Sequence, residues 1–166
     1  MMNRSMILLG SLLLLAGAVA ACTGETPASD VPLSSVTATT GELTFTLDAP
    51  EGAVVEPSSY GGRNVTIVAG DAFHLNVFPA HVYEIQEAAD HCTNASQNNC
   101  EIVSQSDDLV VTKWIQFGEE VHNFTLNLTV GEQEFSCSSD SGSGVAVSQN
   151  AVDLLVRSCR TIALAQ

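Results

Sequence analysis

The stretch NFTLNLTV, Asn123 to Val130, alternates strictly: Phe124, Leu126, Leu128 and Val130 fall on one side, and Asn123, Thr125, Asn127 and Thr129 on the other. A period of two is the repeat of an extended backbone, so the segment is a strand with one apolar and one polar face. Just upstream, VVTKWIQF (Val110–Phe117) carries apolar residues on both parities, Val111 and Ile115 against Val110 and Trp114. That pattern predicts a central strand with cover on both faces. Turn signals near Asp107, Gly118 and Gly131 separate the segments into an antiparallel meander that runs on into EQEFSC.

The same alternation extends towards the N-terminus. ELTFTLDAP (Glu42–Pro50) sets Leu43, Phe45 and Leu47 against Thr44, Thr46 and Asp48. NVTIVAGDAFHLNVF (Asn64–Phe78) sets Val65 and Ile67, then Phe73, Leu75 and Val77, on one side of two strands joined by a Gly70-Asp71 turn. Two segments have helical spacing instead. HVYEIQEAADHC (His81–Cys92) gathers Val82, Ile85, Ala89 and Cys92 into one arc. SQNAVDLLVRSCRTIALA (Ser148–Ala165) opens on a candidate N-cap, Ser148, and carries Val152, Leu155, Val156, Cys159, Ile162 and Ala163 as one stripe. Asp153 is placed to pair with Arg157, and Arg157 and Arg160 suit the negative end of the helix. The expected fold is α+β, an antiparallel sheet of about six or seven strands packed by a short helix and a C-terminal helix. This order of elements loosely resembles PsbP-like domains, which also close with a helix packed on an antiparallel sheet. The resemblance carries no functional residue across.

The chain begins with the three parts of an export leader: Arg4, an apolar stretch from Met6 to Leu15, and the small residues Ala16 to Ala21. The apolar run is too short and too rich in Gly and Ala for a membrane span. Val19-Ala20-Ala21-Cys22 resembles the lipobox of bacterial lipoproteins, which implies that Cys22 is lipidated and becomes the mature N-terminus. Otherwise Cys22 would be a free or disulfide-bonded thiol. Lipidation also explains an odd cysteine count, because five cysteines then leave Cys92, Cys100, Cys137 and Cys159 as an even set. Export to an oxidising compartment favours disulfides over reactive thiols. Cys137 shares strand parity with Phe135, and Cys159 lies in the stripe of the last helix. Docking that helix on the sheet would join them, leaving Cys92 to pair with Cys100.

The expected organisation is a leader over 1–21, a lipidated N-terminus and flexible tether over 22–41, and one globular domain over 42–166. TGETPASDVPLSSVTATTG (Thr23–Gly41) shows no apolar periodicity, and as a free chain it would span about 25 Å on average and about 65 Å when stretched. Two or more acyl chains, implied by the lipoprotein resemblance, would make the attachment stable. No internal repeat is visible. Removing the leader takes Arg4 with it and leaves four basic against nineteen acidic residues, a formal charge of −15. Such a chain is kept soluble by its charge and is repelled by nucleic acid and anionic lipid.

Chemistry-bearing residues are sparse. Glu84, Glu87 and His91 stand three and four residues apart on the polar side of the first helix, with His81 near its start, and could share a metal ion, although they are also what a solvated helical face contains. His74 and His122 are read as ordinary exposed residues on the polar sides of their strands. SSDSGSGVAVS (Ser138–Ser148) places Ser143 between Gly142 and Gly144, so no G-x-S-x-G elbow forms, and Asp140 alone is too few ligands for calcium. Asn-x-Ser/Thr sequons begin at Asn64, Asn94, Asn123 and Asn127, as a Thr-rich strand protein produces by composition. The expectation is a lipid-anchored protein of the bacterial cell envelope with a non-catalytic interaction or binding role, working through an exposed sheet edge on an envelope partner, with no cofactor and no nucleic acid. The alternative is a metal-binding protein or metal-dependent hydrolase using Glu84, Glu87 and His91.

Overall fold

A computed structural model describes residues 26–57, 64–94, 99–116, 118–139 and 147–165. Cys22, the expected leader and the segment around Asp140 and Ser143 lie outside the described residues. The described chain forms β1 (Leu33–Thr40), β2 (Leu43–Pro50), β3 (Val54–Pro57), β4 (Val65–Ala69), β5 (Phe73–Pro79), α1 (Ile85–Asn94), β6 (Glu101–Gln105), β7 (Leu109–Gln116), β8 (Glu119–Val130), β9 (Gln133–Ser139), α2 (Gln149–Cys159) and β10 (Ala163–Leu164). A short 3-10 helix, Ala28–Asp30, precedes β1.

Seven strands make an antiparallel sheet in the order β3-β4-β5-β9-β8-β7-β6, and β1-β2-β10 make a second sheet of three. Strand parity decides what each face of the large sheet carries. Opposed residues across an antiparallel ladder share a face, so the pairs Val77↔Cys137 and Cys137↔Leu126 align the apolar positions of β5, β9 and β8. Onto that face dock α2 and the inner side of β2, whose Phe45 and Leu47 are fully buried. Phe45 meets Phe135 of β9 edge to face, with ring centroids 5.3 Å apart, and truncating either ring in such a core costs about 3–5 kcal/mol.

Helix α2 starts where Ser148 accepts the Ala151 amide at 3.1 Å. Ala151, Val152, Leu155, Ser158 and Cys159 are its buried side. Its end corrects the sequence expectation. The helix stops at Cys159, and Ile162 is buried beyond it in a chain that has already turned into β10 against β2. The hydroxyl of Thr161 makes that turn, accepting the Asp48 amide at 2.7 Å and donating to the Ser158 carbonyl at 2.7 Å. Arg157 does not pair with Asp153. It donates to the Ala28 carbonyl, while Asp153 accepts from Gln149 at 2.8 Å. Cys137 is bonded to Cys159 and Cys92 to Cys100.

The expected tether over 22–41 is also corrected. Residues Leu33 to Thr40 are paired one for one with β2, from Leu33↔Pro50 to Thr40↔Leu43, and Ala38 is buried. Ser and Thr made the stretch read as loop, but Val36, Ala38 and Thr40 share a parity, and Gly41 takes the positive φ of 58° that a two-residue hairpin turn requires. The folded unit therefore begins well before residue 42.

Strand β7 has cover on both faces, as its double parity predicts, although it lies beside the edge rather than at the centre. Val111 belongs to the main core, whereas Val110 packs with Ile85 and Ala89 of α1 in a second, smaller cluster. The first helix starts at Ile85 rather than His81, and Val82 is exposed.

Candidate functional site

The second face of the large sheet has the opposite parity: Thr66, Asn76, Phe78, Ser136, Ser138, Thr125, Asn127, Thr112 and Trp114. Helix α1 covers only its β6–β8 side. Between the helix and the uncovered strands runs a groove of about 930 Å³.

The segment before α1 closes one end of this groove, and a single backbone conformation puts it there. Ala80 has a φ of 54°, in the left-handed region that side chains disfavour. Its amide still reaches the Glu134 carbonyl at 2.8 Å, so β5 ends in register and the chain then swings across the polar face. His81 and Tyr83 land over Phe78, with ring centroids 4.5 Å apart for His81–Tyr83 and 5.5 Å for Phe78–Tyr83. Asn127 secures the crossing by donating to the Tyr83 carbonyl at 2.7 Å. Further along, Trp114 lines the groove beside His91 at 6.0 Å between ring centroids, its indole N–H donating to Thr112 at 3.1 Å.

Thr112, Asn123, Thr125 and Ser138 form a floor of hydroxyls and amides, and Glu84, Glu87 and Asp90 form an acidic rim. No lysine or arginine lines the groove among the described residues. At the far end of β9 the ladder gives way to side chains: Ser139 accepts the Phe124 amide at 3.4 Å and donates to Asn123 at 3.1 Å.

The residues singled out for metal binding do not converge. Glu84 precedes the helix, and no group of three or more His, Cys, Asp or Glu side chains among the described residues could hold a metal ion, so Glu84, Glu87 and His91 form a groove rim instead of a metal centre. His122 is not an exposed residue. It shares the parity of Phe124, is buried, and lies on the Val147 carbonyl, which accepts its backbone amide at 2.8 Å with Nδ1 at 3.3 Å. His74 is half-buried. Asn64 is buried against Asn76 and Asn127 is committed to Tyr83, so neither sequon presents a free side chain. The edges of the large sheet are poor templates for a partner strand: β3 has four residues ending in Pro57, and β6 slips register between Ile102 and Ser104.

No protein-family model matches the chain, and neither does a curated protein or a solved structure.

Sequence reasoning missed Trp114, Tyr83, Asn123 and Thr125 as site residues. A signal existed for the strand residues, since Trp114 belongs to the parity of Val110 and Asn123 to that of Thr125. None existed for Tyr83, whose position depends on the turn at Ala80.

Proposed function

We propose that this protein is a lipid-anchored domain of the bacterial cell envelope that binds a small amine-bearing or quaternary-ammonium ligand in the groove beside α1, without catalysing a reaction. The observation that carries the binding half is the lining: aromatic rings of Tyr83, His81 and Trp114 together with Glu84, Glu87 and Asp90, and no lysine or arginine among the described residues. A cation over an aromatic face gains about 0.5–2 kcal/mol, more as water is excluded, and acids on the rim add a long-range attraction. Thr112, Thr125 and Asn123 supply polar contacts that fix orientation. The anchoring half is supported by the leader-like segment over 1–21, by the lipobox-like Val19-Ala20-Ala21-Cys22 at its end, and by two disulfides, which suit an exported chain.

Each half has its own test. Fatty-acid labelling of the full chain in a bacterial host should mark wild type and not Cys22→Ser, and an unlabelled wild type would end the anchor reading. Trp114 is the chain's one tryptophan, so its emission reports the groove directly. Titration with benzyltrimethylammonium should change that emission saturably, and Glu87→Gln combined with Glu84→Gln should weaken the response several-fold. The neutral isostere neopentylbenzene should bind less well. Equal responses to both probes, or none to either, would remove the cationic-ligand reading.

A further inference from the structure

The anchored reading acquires a geometry from the way the N-terminal segment is held. Asn150, in the first turn of α2, donates to the Thr26 carbonyl at 2.6 Å and accepts the Ala28 amide at 2.7 Å. Arg157, two turns along the same helix, donates to the Ala28 carbonyl. The chain is thus bound to the outside of α2 from Thr26 onward, before β1 begins. Only Thr23, Gly24 and Glu25 separate this docked segment from Cys22. Four residue steps extend at most about 14 Å, whatever conformation they take.

We infer that the α2 layer is the membrane-apposed face of the protein, held against the lipid headgroups by this short covalent reach. The inference rests on lipidation of Cys22. Its partner is a lipid surface, and contact is imposed by the bond, since a chain of this negative charge has no attraction for anionic lipid. The outward residues at the docking point are Pro27, Ser29, Asp30 and Asp153, all exposed. The seven-stranded sheet lies between α2 and α1, so the groove opens on the side away from the bilayer and stays accessible from the envelope space. A tether free from Thr23 to Gly41 would have fixed neither the height nor the face.

The test uses the full lipidated chain in phosphatidylcholine vesicles containing a headgroup nitroxide lipid, which quenches only nearby fluorophores. A tryptophan placed by Ser29→Trp in a Trp114→Phe background should be quenched several-fold more than native Trp114. Inserting a twenty-residue Gly-Ser segment between Glu25 and Thr26 should abolish the difference. Labelled, vesicle-bound protein showing equal quenching at both positions would overturn the apposed face and leave the anchor standing. Protein that carries no fatty acid and fails to float with vesicles would overturn both. Retained quenching at Ser29→Trp after the insertion would show that affinity, and not reach, holds the face, which also overturns the inference.

Discussion

Asn150 holds Thr26 and Ala28 with the two ends of one side-chain amide, 2.6 Å to a carbonyl and 2.7 Å from an amide. Both partners are main-chain groups, so the clamp depends on the chain's path and little on its side chains. Asn150→Ala should cost about 1–2 kcal/mol, the net of two hydrogen bonds, in urea denaturation. It should also leave the bond after Arg157, which independently donates to the Ala28 carbonyl, no easier to cleave, while residues near Ser29 become sensitive to limited proteolysis.

The bond between Cys137 and Cys159 joins the centre of the large sheet to the last residue of α2, and both residues are fully buried. Non-reducing peptide mapping should recover Cys137 with Cys159 and Cys92 with Cys100. Loop-closure arithmetic gives about 3.4 kcal/mol for the first bridge and about 2.6 kcal/mol for the second, before strain is counted. Reduction should therefore lower Tm sharply, and Cys137→Ala/Cys159→Ala should lower it more than Cys92→Ala/Cys100→Ala.

Ala80 sits at a φ of 54°. Glycine takes this conformation without a Cβ penalty, so Ala80→Gly should stabilise the fold by about 0.5–1 kcal/mol in spite of its greater freedom when unfolded. Ala80→Val should destabilise it and loosen the Tyr83 end of the groove, read as a weaker Trp114 response to benzyltrimethylammonium.

Lys113 of β7 reaches Glu101 of β6 at 2.9 Å and Glu120 of β8 at 3.8 Å. The hydrogen bond Lys113 donates to Glu101, then the charges of Glu101 and Glu120, raise its pKa above the ordinary 10.5. A raised folded value means the contribution is present in full below the unfolded value and is lost as pH climbs through the folded one. The stability gap between wild type and Lys113→Gln should thus be constant through neutral pH and close only above the ordinary lysine range. A gap that closes in acid instead would assign the effect to the glutamates.

Strand parity made most of the large sheet legible. The alternation in Phe124 to Val130 and the double-sided pattern at Val110 and Val111 describe their surroundings directly, because a strand's faces are fixed by its own sequence. Parity would also have placed His122 with Phe124 on the apolar side. What parity does not carry is which strands become neighbours. Nothing within Leu43–Pro50 says that it joins β1 and β10 in a separate sheet, and β1 was hidden because threonine and serine serve loops and strands alike. The groove was less legible still. It exists because α1 covers half a face and because one residue turns through positive φ, and both are relations between distant segments.

Helix α1 rests on few contacts: Ile85, Ala89 and Val110 are the buried members of its cluster, with Cys92 tied to Cys100 just beyond. A unit with so small an apolar footing opens at a lower free energy than the sheet beneath it. Amide hydrogens from Ala88 to Cys92 should exchange with solvent orders of magnitude faster than those from Phe124 to Leu128, which share the main core. The cross-link shortens the excursion without preventing it. With that exchange pattern the groove would have one wall that opens over a floor that does not, so the ligands we propose could differ in width and still be admitted by the motion of ten helical residues while the core keeps its order.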